Sequence, residues 1–355
     1  MKRSRESASP DRPLPPLPSE QLLIDLLPEV AATRLLCTSL GRGQLAQAAA
    51  SHWPEAAVTC HFYDLHPFEL ARASLSAAGS RVNVVCLADF AEQNCDLVAL
   101  PLSAKGESEF AREELQAAHQ ALQVGGKLIA ATDNPRDTWL AEVIDALFVK
   151  VTRRATKKGT VYLASKDRPL KKVKNYSADV VFRDGERLLT AVTRPGVFAH
   201  RKIDPGCRQL LNAMHIMPGM RVLDLGCGSG IASLAAAARE ENVQILAVDS
   251  AARAVQCVLA GAAKNSLTGI STELSAKLLL TDAGRFDLVL ANPPYYANYE
   301  IARKFVLAAR TALRPGGELL LVTKMPNWYE EHLGDWFKNL QIEPSKSYWI
   351  VRALR

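Results

Sequence analysis

The 355-residue chain contains no run of 18 or more apolar residues, which argues against a helical membrane span. Its opening Met-Lys-Arg-Ser-Arg has no apolar stretch before Pro10, so no secretory signal is expected there. Seven cysteines, at 37, 60, 86, 95, 207, 227 and 257, form no Cys-x-x-Cys pair and are odd in number. That scatter gives no zinc site and no disulfide framework, and it suits reduced thiols in a cytoplasmic protein. None of the seven histidines pairs with a serine or cysteine motif, so no nucleophile with its own base is in view.

What is present is enough for two ordinary domains with real cores: 48% hydrophobic and 23% charged residues. Net charge is +6, but its distribution matters more than its total. Between Lys150 and Lys174 stand ten basic residues against one acid, Asp167, an excess larger than that of the whole chain. Such a segment suits a polyanionic partner, with Lys157, Lys158, Lys171 and Lys172 as candidate contacts; a solvated hairpin and linker is the plain alternative.

Residues 1–20, with five prolines and mixed charges, are expected to be a disordered tail. Beyond it the chain repeats itself. Arg34-Leu-Leu-Cys-Thr-Ser-Leu-Gly-Arg-Gly43 resembles Arg221-Val-Leu-Asp-Leu-Gly-Cys-Gly-Ser-Gly230 at an offset of 187. Cys95–Leu100 resembles Phe286–Ala291, and Ala121–Ile129 resembles Ala312–Leu320, both at 191. Three matches in order at nearly constant offset indicate a duplicated domain. Each copy alternates short apolar strands with helical segments, the pattern of a mostly parallel α/β sheet covered on both faces, and each ends in an antiparallel hairpin. The expected division is a degenerate copy over 21–166, a basic linker with an Asp184-Gly185 hairpin over 167–200, and an intact copy over 201–355.

The intact copy carries the chemistry. Asp224-Leu-Gly-Cys-Gly-Ser-Gly230 lies between a buried strand and a helix, where Gly226, Gly228 and Gly230 let backbone approach a ligand. The following helix N-terminus favours a carboxylate. Ile231 breaks the dinucleotide fingerprint, which requires glycine or alanine at that place. Asp249 ends the next strand, 19 residues on, where a carboxylate can accept hydrogen bonds from a ribose diol. Asn292-Pro293-Pro294-Tyr295 follows a later strand and is the sharpest signal. The prolines fix the backbone and remove donors, so the Asn292 side chain and the Pro293 carbonyl become aimed acceptors. Two acceptors on the N–H bonds of a conjugated amine would favour a pyramidal nitrogen with its lone pair aimed at an electrophile. Tyr295, with Pro294, offers a flat face for an extruded base. Cys227 is expected to pack under the loop, and His200 to lie at the surface. In the first copy Cys37, Ser39 and Pro101-Leu-Ser-Ala104 replace Asp224, Gly226 and the Asn-Pro-Pro-Tyr motif, leaving only a strand-end acid, Asp64.

A degenerate copy followed by an intact one, joined through Thr193-Arg-Pro-Gly-Val-Phe198 and Asp204-Pro-Gly206, resembles the bacterial ribosomal RNA guanine-N2 methyltransferases. The resemblance implies two tandem Rossmann-like class I methyltransferase domains, S-adenosylmethionine as cofactor, and ribosomal RNA or a ribosomal subunit as partner. It implies no metal and no membrane. Asp224, Gly226, Gly228, Gly230, Asp249 and Asn292 would hold the cofactor; Asn292, Pro293 and Tyr295 would act on the guanine amino group; the first copy would help bind RNA. Tyrosine at 295, where that family often has phenylalanine, also occurs in protein glutamine-N5 and DNA adenine-N6 methyltransferases, so those targets stay open. So does a noncatalytic RNA-binding role in ribosome assembly.

Overall fold

The computed structural model describes residues 15–277, 284–294 and 299–355. The first half begins with α1 (Pro18–Leu26), β1 (Arg34–Thr38), α2 (Gln44–His52), β2 (Ala57–Phe62), α3 (Leu65–Ala77) and β3 (Asn83–Cys86). It continues with β4 (Cys95–Leu102), α4 (Ser108–Ala121), β5 (Leu122–Thr132), α5 (Trp139–Leu147), β6 (Val149–Thr156) and β7 (Gly159–Ser165). A hairpin follows, β8 (Ala178–Asp184) and β9 (Arg187–Thr193). The second half runs α6 (Pro205–Ala213), β10 (Arg221–Leu225), α7 (Ile231–Arg239), β11 (Gln244–Asp249), α8 (Ala252–Lys264) and β12 (Ile270–Leu274). It ends with β13 (Phe286–Ala291), α9 (Glu300–Ala312), β14 (Leu313–Thr323), α10 (Asn327–His332), β15 (Lys338–Ser345) and β16 (Tyr348–Leu354).

Two seven-stranded sheets have the same topology, β3-β2-β1-β4-β5-β7-β6 and β12-β11-β10-β13-β14-β16-β15. Five strands in each are parallel; the terminal hairpin adds antiparallel to them. The repeat extends to small devices. Asp96 accepts from the Arg34 amide and Asp287 from the Arg221 amide, so in each copy an aspartate near the start of one strand ties down the start of its neighbour. Each sheet is buried on both faces by leucine, valine and alanine from strands and helices, which is why its strands are near-continuous apolar runs.

Three expectations need correction. The tail does not extend to residue 20: α1 starts at Pro18, a residue suited to the first helical turn, and Ser19 and Glu20 are buried. The basic linker is partly core. The inner face of its hairpin, Phe182, Leu189 and Ala191, joins the apolar cluster of the second half, and Arg239 clamps it through Asp184 at 2.7 and 2.9 Å. Several of the ten basic residues are also engaged locally. Lys166 is buried on the Leu122 carbonyl, Arg154 pairs with Glu29, Arg153 donates to the Asp137 carbonyl, and Lys174 lies 4.7 Å over the Tyr176 ring. Lys150, Lys157, Lys158, Arg168, Lys171 and Lys172 remain exposed.

The halves meet through equivalent positions. Strand register aligns Ala57 with Gln244, each opposite the first residue of the central strand, so Asp64 corresponds to Ala251. These two residues form an antiparallel bridge. Around it Leu65 N–H donates to the Ser250 carbonyl at 2.8 Å, and Ala252 N–H donates to the Tyr63 carbonyl at 2.8 Å. The two bonds exchange under the repeat, as in a two-fold contact between identical subunits. Ser250 Oγ adds a bond to Asp64 at 2.7 Å. Beside it the buried Arg253 guanidinium donates to the carbonyls of Ala88 and Pro195 and pairs with Glu113, between the rings of Tyr63 and Phe110. The same register corrects another expectation: Phe62, not Asp64, stands where the second half has Asp249.

Candidate functional site

At the carboxyl end of the second sheet, β10 runs into a loop whose three glycines all have positive φ: Gly226 at +70°, Gly228 at +53° and Gly230 at +78°. Each is needed for a different reason. A Cβ on Gly226 would stand 3.1 Å from the Phe305 ring, and one on Gly230 would stand 2.8 Å from Val258. A Cβ on Gly228 would meet nothing within 4 Å, because that face opens into a cleft. The Gly228 N–H donates to Asp249 Oδ2 at 2.9 Å, and Ala251 N–H donates to Oδ1 at 2.9 Å. Asp249 therefore braces the glycine loop as well as ending its strand.

The cleft has about 460 Å³ of empty space, counting its open mouth. Asp224, Gly226, Gly228, Phe198, Asp204 and Asn292 are among the residues that line it. Asp224 is buried and accepts from Ser233 Oγ at 2.6 Å, and burial pushes its carboxyl up to about 6. The N-terminus of α7 opens on the same cleft, with Ile231 and Ala232 at its wall. Cys227 is buried against Ala247 and Val258, and burial raises its thiol well above the ordinary range, so it is packing and not a nucleophile.

Asn292 leaves β13 at the edge of this cleft, with Pro293 buried and Pro294 half-buried behind it. Its Nδ2 donates to Asp204 Oδ2 at 2.9 Å. Asp204 also caps α6, accepting from Cys207 N–H at 2.9 Å. Tyr295 lies outside the described residues. Of the residues expected to hold a ligand, Asp224, Gly226, Gly228 and Asn292 line the cleft, while Asp249 reaches it through its bond to Gly228 and Gly230 packs on Val258. Lys157, Lys158, Lys171 and Lys172 lie on the β6–β7 turn and the segment after β7, and none lines the cleft.

Sequence reasoning did not name Phe198 or Asp204 as site residues, although both fall in the segment it singled out. Phe198 is 68% exposed at the mouth, an unusual place for a large ring. The His200 side chain is covered, not at the surface: it is 6% exposed, with Nδ1 3.0 Å from Thr193 Oγ1 and Nε2 3.1 Å from Glu109.

The first half has the same loop with a different filling. Ser39 replaces Gly226, and its hydroxyl accepts the N–H bonds of Gly41 and Gly43 at 3.1 and 3.0 Å while donating to buried Glu20 of α1. A Cβ on Gly41 would stand 3.0 Å from the Glu20 carboxylate. The donors that a ligand would need are used internally, and α1 supplies the carboxylate.

Comparison with known proteins agrees with this geometry. Residues 188–352 match the family model "Methyltransferase small domain". Ribosomal RNA small subunit methyltransferase C of Alcanivorax borkumensis is 37% identical over 173 residues, 46% of this chain and 52% of that protein. The chain thus spans about half the length of that relative; the namesake from Citrobacter koseri matches at 26% identity over 86% of this chain and 87% of its own. A solved Thermus thermophilus 16S rRNA N2 G1207 methyltransferase, in complex with AdoMet and guanosine, superposes with a TM-score of 0.76 at 26% identity, covering 94% of this chain and 92% of that one. Among the described residues no helix is long and apolar enough to cross a membrane. Residues 188–352 of this chain are similar to the methyltransferase small domain family, and they are joined to a first half that repeats their topology.

Proposed function

We propose that this protein transfers a methyl group from S-adenosylmethionine to guanine N2 of ribosomal RNA, in the cytoplasm. The observation that carries the reading is Asn292, held by Asp204 at the edge of the cleft that the glycine loop opens. The residues present fit the cofactor: a Cβ-free face at Gly228, the positive end of α7 for an amino-acid carboxylate, and Asp249 at a strand end for ribose hydroxyls. When bound, that group supplies an electrophilic methyl on sulfonium sulfur.

The rest of the chemistry falls to this chain. Because Nδ2 of Asn292 is directed to a carboxylate, the amide is oriented with Oδ1 as the acceptor for the substrate amine. The Pro293 carbonyl is a second acceptor, since a proline pair fixes its direction. Together they orient the nitrogen lone pair, so positioning supplies much of the rate. Tyr295 is assigned to stacking the guanine. Lys157, Lys158, Lys171 and Lys172 are assigned to the RNA backbone, and the first half to holding RNA, consistent with the exposed cations it and the linker carry. The relatives named above act on ribosomal RNA by their names, which supports the substrate class.

Mass spectrometry of ribosomal RNA nucleosides from a deletion strain tests this. N2-methylguanosine at one site should vanish and return with the wild-type gene, not with Asn292→Ala. An unchanged nucleoside profile on deletion would refute the reading.

A further inference from the structure

A second cleft lies where the first half and the linker meet Arg253 of α8, whose guanidinium is 4.5 Å from the Tyr63 ring centroid. Its empty space is about 690 Å³ counting the open mouth. Tyr63 and Phe90 form an aromatic wall, their rings tilted with centroids 6.1 Å apart. Tyr176, buried but lining the cleft, contributes a third ring from the linker, with the Lys174 ammonium 4.7 Å above it. Asp89 stands at the rim with its carboxylate on Arg194, which holds it below the usual carboxylate range, so it stays ionised. The exposed amide of Gln120 completes the polar edge.

We propose that this cleft takes one unstacked nucleobase of the substrate RNA, a base such as guanine that offers N–H donors on one edge. The inference rests on the RNA reading above and adds a second point of contact to it. Aromatic faces suit any base, while an ionised carboxylate beside an amide selects an edge with donors. The backbone of such a nucleotide would leave toward Lys174, on the same segment as exposed Lys171 and Lys172. The cleft is also tied to the catalytic side. Arg194, which grips Asp89, is four residues from Phe198 at the mouth of the first cleft, at most about 14 Å of extended chain. One RNA strand can therefore reach both clefts within a few nucleotides.

Steady-state methylation of ribosomal RNA by the full chain, with photocross-linking of 6-thioguanosine-substituted RNA, tests the proposal. Phe90→Ala should raise the KM for RNA about tenfold, the scale for one lost stacking contact, with kcat and cofactor KM unchanged. Lys174→Glu, at an exposed rim position, should raise it similarly and serves if Phe90→Ala does not fold. Cross-links should map to Phe90 or Tyr176. Normal RNA kinetics in a folded variant, with cross-links confined to the first cleft, would overturn the second site while leaving the RNA reading intact. Wild-type protein that neither binds nor methylates RNA would overturn both. Guanosine 5′-monophosphate binding at Phe90 without any change in RNA kinetics would make this a free-nucleotide site and also overturn the proposal.

Discussion

Asn292 Nδ2 and Asp204 Oδ2 lie 2.9 Å apart across 88 residues of chain, and the same carboxylate oxygen caps α6. A helix start thus fixes which end of the Asn292 amide faces the reacting nitrogen. Asn292→Ala is expected to lower turnover about 100-fold, the scale for an oriented polar group at a reacting centre. Asp204→Ala should lower it by a smaller factor, because the amide stays but can rotate. Cofactor affinity should fall far less than turnover in both variants, and single-turnover rates alongside calorimetry separate the two quantities. Wild-type turnover in Asn292→Ala would remove it from the mechanism.

Asp249→Ala is expected to weaken S-adenosylmethionine binding by about 1.5–3 kcal/mol, the range for hydrogen bonds to a charged group. The substitution also frees the Gly228 N–H, so loop order and affinity should fall together. Calorimetry with unchanged affinity would place the ribose elsewhere.

The chain should bind one S-adenosylmethionine, not two. Ser39 and Glu20 occupy the donors of the first glycine loop, and removing one of them leaves Cys37 in place of Asp224 and Phe62 in place of Asp249. Glu20→Ala should therefore lower the melting temperature without creating a second site. A stoichiometry of two in either protein would contradict this account of the loop.

Glu114 predicts a pH dependence of stability. Burial pushes its carboxyl from 4.5 up to about 7, against the opposing charge of Arg253. Over that window the folded chain keeps a proton that the unfolded chain has released, so stability falls as pH rises from about 4.5 to 7. Glu114→Gln mimics the protonated form. It should be more stable than wild type at pH 8, by up to about 3 kcal/mol, and nearly equal at pH 4.5. Melting curves at the two pH values check it; an equal gap at both would deny the titration.

Replacing Lys157, Lys158, Lys171 and Lys172 with alanine should flatten the salt dependence of RNA binding. Each lost phosphate contact lowers the slope of log affinity against log salt by about 0.7–0.9. Cofactor affinity and the modified base should not change. Filter binding across a salt series with the wild-type slope would return these lysines to plain surface.

Sequence reading reached the features encoded locally: the duplication, the strands, the glycine loop, and the Asn-Pro-Pro turn. It missed what depends on contacts between distant residues. Nothing around Glu20 marks it as the filling of a loop twenty residues on, since a glutamate after Pro-Ser resembles any first-turn acid. Arg253 shows the same limit; one arginine on an alanine-rich helix gives no sign that it is buried between two rings of the other half. Asp64 misled because an acid near a strand end looks like Asp249 until strand register places it two residues further along. The basic segment misled in part, because charge count cannot tell Lys166 in a core from Lys171 in water.

The exchange of bonds between Leu65–Ser250 and Ala252–Tyr63 has a consequence for how the halves could diverge. A contact built on backbone groups at equivalent turns survives side-chain substitution in either partner. Tethering the partners in one chain also replaces association between molecules by an effective concentration on the order of millimolar. A half so tethered keeps its place whether or not its own pocket works. Mutational drift could then convert one glycine loop into solid packing and open a new cleft at the seam, while the other half kept the geometry its chemistry demands.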